Sequence, residues 1–393
     1  MIKAKIAIII YSNPDYLPSV NRAISILSNQ FEVVVITRNQ DNRYSVYGPG
    51  IEYFQLGKPA TAVGKQSQHQ LLRIMEYLSF IVRARHIVKS RSCKFVYSYD
   101  IHGYLAAYFC CRIAGRLPLL YHNLDIYFAN KRNILSIIFR SLELYLIRRA
   151  DAVVFCNRSR LKYFKDKAIL PKNLFIVMNT PLKINDLPEN KLREVLIRNG
   201  FSGGERAVFY QGTIDEQHYL PQIIRSIKFW PADSVLVICG IVSAGFQECF
   251  TREVESSEFK NRILVLPYLP HPQLKFYTVG ASLGIALYNQ NTEDVNMRFM
   301  SGASNKIFEY ISLGVPVLAN DSEDFRNMLD SSAAYFTKSY SEEDIGNSIN
   351  LALSDASGLQ RKKLLSREAH LLKLNYEYQF AGVLSYIKSI YKI

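Results

Sequence analysis

Short apolar, β-branched runs alternate with helical stretches through nearly all of this 393-residue chain, and this alternation restricts its fold more than any other feature. Strands separated by helices pair in parallel, because each crossover helix must pack back on the sheet it left. The first half carries predicted strands at residues 5–11, 31–37, 95–99, 119–122, 152–156 and 174–178. A second series follows at 207–211, 234–239, 263–266, 283–287 and 316–319, with helices predicted at 219–229, 271–279 and 342–353 among others. Between the series lies a polar stretch, 183–205, containing Ser202, Gly203 and Gly204, which reads as a linker. The length exceeds what one core usually serves. Two doubly wound α/β domains are therefore expected, at 1–183 and 184–373, with a closing helix near 374–393 packing back on the first.

The opening run, 1–10, is too short in its apolar part for a signal peptide and reads as a buried strand. No 18-residue apolar segment free of charge exists to span a bilayer. The six cysteines lack CxxC or Cys/His metal spacing, and most sit in apolar runs, as expected of reduced thiols in a cytoplasmic protein.

Charge is shared unevenly. Residues 1–190 hold 27 Lys/Arg against 12 Asp/Glu, a net +15, while the remainder is −1. One cluster comprises Arg83, Arg85, Lys89, Arg91 and Lys94; another comprises Lys131, Arg132, Arg140, Arg148 and Arg149 along an apolar helix beginning at Asn133. Such clusters suit a phosphate-rich partner, an anionic membrane surface or a nucleic acid, or else form ordinary solvated surface. The second cluster has the apolar side that membrane docking needs.

In doubly wound sheets, ligands sit beyond the carboxyl ends of the strands. The residues there include Asp100, His102, His122, Asp125, Gly212, Thr213, Gly240, Tyr268, Tyr288, Asn289 and the 290–305 loop. Neither first strand is followed by GxGxxG or GxxxxGK[ST], which argues against a nicotinamide enzyme and a P-loop NTPase. The stretch "SNKIFEYISLGVPVLAN" (304–320) reads as a helix capped by Ser304 and stopped by Gly314, then a buried strand. Lys306 lies in its first turn, where the helix dipole disfavours a cation. A bound anion would resolve this, since a helix N-terminus with a lysine makes a phosphate site. Glu309, one turn on, could then accept from hydroxyls; the alternative is a solvated Lys306/Glu309 pair.

With two Rossmann-like halves and this helix in the second, the chain resembles the GT-B glycosyltransferases, and among them glycosyltransferase family 4. The resemblance rests on "FVYSYDIHGYLAAYFCCRIAGRLPLLYHNLDIYF" (95–128), "RRADAVVFCNRSRLKYF" (148–164), "LFIVMNTP" (174–181), "AVFYQGTIDEQHYLPQIIRSI" (207–227), "NRILVLPYLPHPQLKFYTVGASLGIALYN" (261–289) and "SNKIFEYISLGVPVLAND" (304–321). It implies two Rossmann-like domains facing across a cleft, with a nucleotide-sugar bound mainly on the second. Lys306 and the amides after Ser304, Asn305 included, would hold the diphosphate, and Glu309 the ribose. Gly212, Thr213 and Tyr268 would line the same site. The chain departs from the family pattern in three places: Thr213 and Gln217 stand where the family has basic residues, Ser301 replaces the first Glu of E-x7-E, and the first βα loop reads Ser12-Asn-Pro-Asp-Tyr16. Arg298 is the candidate for the missing positive charge.

The resemblance further implies retaining transfer of a sugar to a saccharide acceptor, with no metal or other cofactor. Preorganised donors would stabilise the departing diphosphate. Asp100, His102, His122 and Asp125 would orient the sugars, although either histidine could equally be a satisfied strand-end residue. The basic first half suits a lipid-linked acceptor at the inner face of a membrane, as in surface polysaccharide assembly. The rivals are a nucleotide-sugar epimerase of the same architecture and, from the pI near 9.3, a nucleic-acid-binding protein. Against the last, no nucleic-acid-binding motif is present.

Overall fold

A computed structural model of the chain describes residues 3–40, 47–59, 70–113, 116–127, 134–329 and 333–391. It divides into two units, residues 1–179 with 379–393, and residues 180–378.

In the first unit the aliphatic runs become the strands β1 (Lys5–Ile10), β2 (Glu32–Arg38), β3 (Ile51–Leu56), β4 (Phe95–Tyr99), β5 (Leu119–Asn123), β6 (Ala152–Phe155) and β7 (Asn173–Ile176). They pair in parallel in the order β3-β2-β1-β4-β5-β6-β7. Central strands are buried on both faces, as continuous β-branched runs require under helices on either side. The order reverses between β1 and β4, whose register pairs Ile10 with Tyr99, so Tyr11 and Asp100 leave the sheet side by side. From the C-terminal helix Tyr376–Tyr391, residues 379 onward complete this core. Phe380 stacks on Tyr97 at 6.1 Å, and Tyr391 meets Phe31 at 5.6 Å.

The second unit holds β8 (Arg206–Ile214), β9 (Ser234–Val242), β10 (Ile263–Leu266), β11 (Leu283–Ala286), β12 (Val317–Asn320) and β13 (Ala334–Thr337), again all parallel, in the order β10-β9-β8-β11-β12-β13. Its reversal lies between β8 and β11. Crevices for ligands form at such reversals, outside the carboxyl ends of the strands.

Strands β3 and β13 escape the sequence reading. β3 is an edge strand, half-buried throughout, whose run is broken by Glu52 and Gln55; β13 is a four-residue edge. The supposed linker 183–205 contains the helix Leu192–Arg198, anchored by buried Leu192 and Leu196. The second basic cluster also needs correcting. Arg140, expected on the surface of the helix Ile134–Leu146, turns inward to pair with buried Glu143, which accepts from Tyr121 Oη of β5 at 2.5 Å. Its guanidinium lies over Phe164 at 4.8 Å. The helix consequently presents Ile134, Ile137, Ile138 and Tyr145 to solvent, while Arg148 packs over Tyr145 and Arg149 is exposed. Lys131, Arg132 and Asn133 lie outside the described residues. In the first cluster Arg91 is tied to Glu52, and Arg83, Lys89 and Lys94 are exposed. Among the described residues no helix is long and apolar enough to cross a membrane.

Candidate functional site

The helix Asn305–Ser312 begins where the sequence places it. Ser304 Oγ accepts from the amide of Ile307 at 3.3 Å and meets Tyr288 Oη, while Gly314 at φ +71° ends the helix with its amide on Ile311 O. Ile307, Phe308 and Ile311 are buried. Tyr310, on the same buried side, donates to Phe209 O at 2.8 Å and accepts from the amide of Gln211 at 3.0 Å, tying the helix to β8. Its ring occupies the place where a side chain at Gly284 would be, so only glycine fits there.

Lys306 thereby reaches the mouth of the β8/β11 reversal. Its Nζ lies 4.7 Å from the Tyr210 ring centroid and 5.2 Å from that of Tyr288, shielded from solvent and with no hydrogen-bond partner among the described residues. Burial pulls its pKa down to about 7, opposed by the charges of Asp215 and Glu309. Gly212 faces the ammonium with φ +110°, and a Cβ there would come within 3.4 Å of Lys306 Cε. A strand end without a side chain, beside an enclosed cation and a helix N-terminus, is the chemistry of an anion site.

Glu309 stands one turn further. Gln211 Nε2 donates to its Oε2 at 2.6 Å, and His271 Nε2 meets Oε1 at 2.5 Å. Thr278 Oγ1 orients Gln211 by donating to Oε1 at 2.8 Å. The carboxylate is thus held at a fixed position beside the lysine. Thr213 and Tyr268 are exposed, and Asn305 is half-buried in the first turn. Arg298 is also exposed, donating to Glu293 O at 3.4 Å. Missing from the sequence reading is His218, buried beside the same two tyrosines and bound to Asp215. Nothing in the local sequence marks it, since its neighbours Tyr210 and Tyr288 come from β8 and from just after β11.

The first unit gathers its candidates differently. Asp100 adopts φ +51°, unusual for a residue with a side chain, and its Oδ1 accepts from the amides of Leu124 at 3.0 Å and Asp125 at 3.2 Å. Burial, reinforced by Asp125, raises its pKa to about 7. His102 sits in an aromatic surround of Tyr11, Tyr77, Tyr127 and Phe139, with ring centroids 5.0 to 5.9 Å away. Burial holds its pKa near 4, so it is neutral at pH 7. Gly103 beside it passes within contact of Ile9 O, leaving no room for a Cβ. Asp125 is exposed, 3.4 Å from Arg160 Nη1. His122 is not brought to this group: its ring is fully buried, stacked on Tyr99 at 5.0 Å, with Nδ1 on Tyr97 Oη at 2.9 Å.

The two parallel sheets, with their reversals and helices, are those of the GT-B fold. Sucrose-phosphate synthase from Thermosynechococcus elongatus superposes with a TM-score of 0.75 at 12% identity, over 99% of this chain and 100% of that one. Anabaena HepE in complex with UDP and glucose gives 0.70 at 14%, over 98% and 100%. WaaG, a glycosyltransferase involved in lipopolysaccharide biosynthesis, gives 0.65 at 13%, over 96% and 98%. No protein-family model matches the sequence, and no curated protein does.

Proposed function

We propose that this chain is a glycosyltransferase that moves a sugar from a nucleotide-sugar to a saccharide acceptor, with retention and without a metal. One observation carries the reading: Lys306 Nζ is enclosed, without a hydrogen-bond partner among the described residues, and set over Gly212 near the end of β8. Such an ammonium is poorly compensated until an anion arrives. A diphosphate received by Lys306, Gly212 and the amides of Asn305 and Lys306 would supply that anion, leaving Glu309 for the ribose hydroxyls. As the glycosidic bond to the diphosphate breaks, negative charge grows on the leaving oxygen, and these donors meet it without reorganising. The UDP complex of HepE, which shares the fold, is consistent with this class of ligand. In the first unit, Asp100, neutral His102 and Asp125 are the groups offered to sugar hydroxyls; buried His122 would instead brace β5, the strand that precedes Asp125.

For the acceptor we propose a lipid-linked saccharide at an anionic membrane surface. The support is the reversed helix Ile134–Leu146 and its neighbour Gln70–Ser90, which adjoin through Tyr77 and Phe139 and expose Ile134, Ile138, Leu72, Met75, Leu78 and Val82. Exposed Arg83, Lys89 and Arg149 belong to the same unit. Apolar side chains ringed by cations fit an interfacial membrane site.

The test is calorimetric titration of the intact protein with a panel of nucleotide-sugars. At least one should bind, and Lys306→Met with Glu309→Gln should abolish that binding. Absence of uptake from the whole panel, or uptake unchanged in the double variant, removes the reading. Turnover of the donor with no acceptor present would select the epimerase instead.

A further inference from the structure

The loop after β8 holds an ionisable pair to which the reading above gives no task. His218 ends the 3-10 turn Glu216–His218 and is 5% exposed, with Nδ1 2.5 Å from Asp215 Oδ1. Its Nε2 makes no hydrogen bond among the described residues. The ring centroid lies 5.4 Å from that of Tyr288 and 6.5 Å from that of Tyr210, the two rings that enclose Lys306 Nζ. Lysine and histidine therefore flank one aromatic pair. A diphosphate brings two negative charges to this place, and Lys306 answers one. Thr213 and Gln217 carry no charge, and Arg298 is exposed with its guanidinium on Glu293 O.

We propose that His218 is the second cation of the diphosphate site, clamped through Nδ1 by Asp215, offering Nε2 to a phosphoryl oxygen, and taking a proton from solvent as the ligand binds. This rests on the nucleotide-sugar reading and deepens it. Asp215 orients the ring and compensates the imidazolium, as a carboxylate behind a histidine does elsewhere. The other groups facing the ring are Lys306 and, beyond it, Glu309 on the helix Asn305–Ser312, with the neutral phenols of Tyr210 and Tyr288. In the free protein, burial and the Lys306 charge hold His218 below its usual 6.5 against the pull of Asp215. A phosphoryl oxygen at Nε2 raises it. Affinity should accordingly rise as pH falls from the bound value toward the free one, and level off below.

Lys306, with its pKa about 7, also takes up protons on binding, but mostly above that pH. Uptake near pH 6 thus belongs to the histidine. The experiment is calorimetry at pH 6 and pH 8 in buffers of different ionisation enthalpy, with whichever nucleotide-sugar binds the intact protein. The diphosphate of a nucleotide-sugar is esterified at both ends, so it has no group of its own titrating near 6. We expect proton uptake at pH 6 that is absent from His218→Gln, and about tenfold weaker binding by that variant, the equivalent of 1.4 kcal/mol. His218→Lys should recover the affinity without the uptake. Asp215→Asn, which keeps the ring, should lower the uptake, and it carries the test should the glutamine variant not fold. Equal uptake by wild type and His218→Gln overturns the proposal, as does a lysine variant that binds no better than the glutamine one. If no nucleotide-sugar binds the wild type, the parent reading falls, and this one with it.

Discussion

An ammonium shut between two tyrosine rings without an acceptor strains the protein that carries it. In the folded state Lys306 has a pKa of about 7, against 10.5 for a free lysine, so between those values the unfolded chain binds more protons than the folded one. Stability of the unliganded protein therefore rises with pH across that window and falls as pH drops toward 7. Lys306→Met, of similar length, should flatten this rise and stabilise the unliganded protein at pH 7 by several kcal/mol, at about 1.4 kcal/mol per pKa unit. Denaturant unfolding at pH 7 and pH 9.5 measures it. The same variant should lose nucleotide-sugar binding, so stability and ligand affinity move in opposite directions. Gly212→Ala, forced to φ +110° and pressed toward Lys306, should weaken the ligand and the fold together. Lys306 stands out in the sequence because it breaks a local rule, a cation in a helix's first turn. His218 breaks none; its meaning depends on Tyr288 and Lys306, which only the folded sheet brings to it.

Helices here are legible where their ends carry signals, and ambiguous where orientation depends on a distant partner. Ser304 and Gly314 mark the helix Asn305–Ser312 from sequence alone. Ser304→Ala should cost about 1 kcal/mol of stability, and somewhat more through the lost contact with Tyr288, as read from the midpoint of chemical unfolding. The helix Ile134–Leu146 was readable as amphipathic, but which side faces in is decided by Glu143 finding Tyr121 and Asn123 on β5. Arg140→Ala should leave Glu143 buried without its cation and destabilise by about 3 to 5 kcal/mol, a poor test of membrane binding. Ile134→Asp with Ile138→Asp should reduce binding to anionic vesicles in a flotation assay while leaving nucleotide-sugar affinity unchanged. Edge strands β3 and β13 were illegible for a related reason: a strand paired on one side needs no continuous apolar run, so its sequence resembles a loop.

At the scale of the whole chain, charge and the proposed donor site divide between the units. The first carries all of the positive excess, so vesicle binding should fall steeply between low salt and about 0.5 M, where the Debye length shrinks to a few Å. Donor binding on the second unit should resist salt better, its cations being enclosed. A nucleotide-sugar at about 100 times its Kd should add about 2.7 kcal/mol to the second unit, visible as an upward shift of one calorimetric transition. The alternation of strand and helix made both sheets readable, since parallel pairing leaves little choice of topology. Residues 379–391 belong to the first unit. Those residues are synthesised after the whole of the second unit. Phe31, Tyr97 and Phe95 must wait, uncovered, until everything from 180 to 378 has been translated. The first half of the message thus encodes a structure that its own product cannot finish, and a nascent chain paused midway offers chaperones an aromatic surface that the released protein hides.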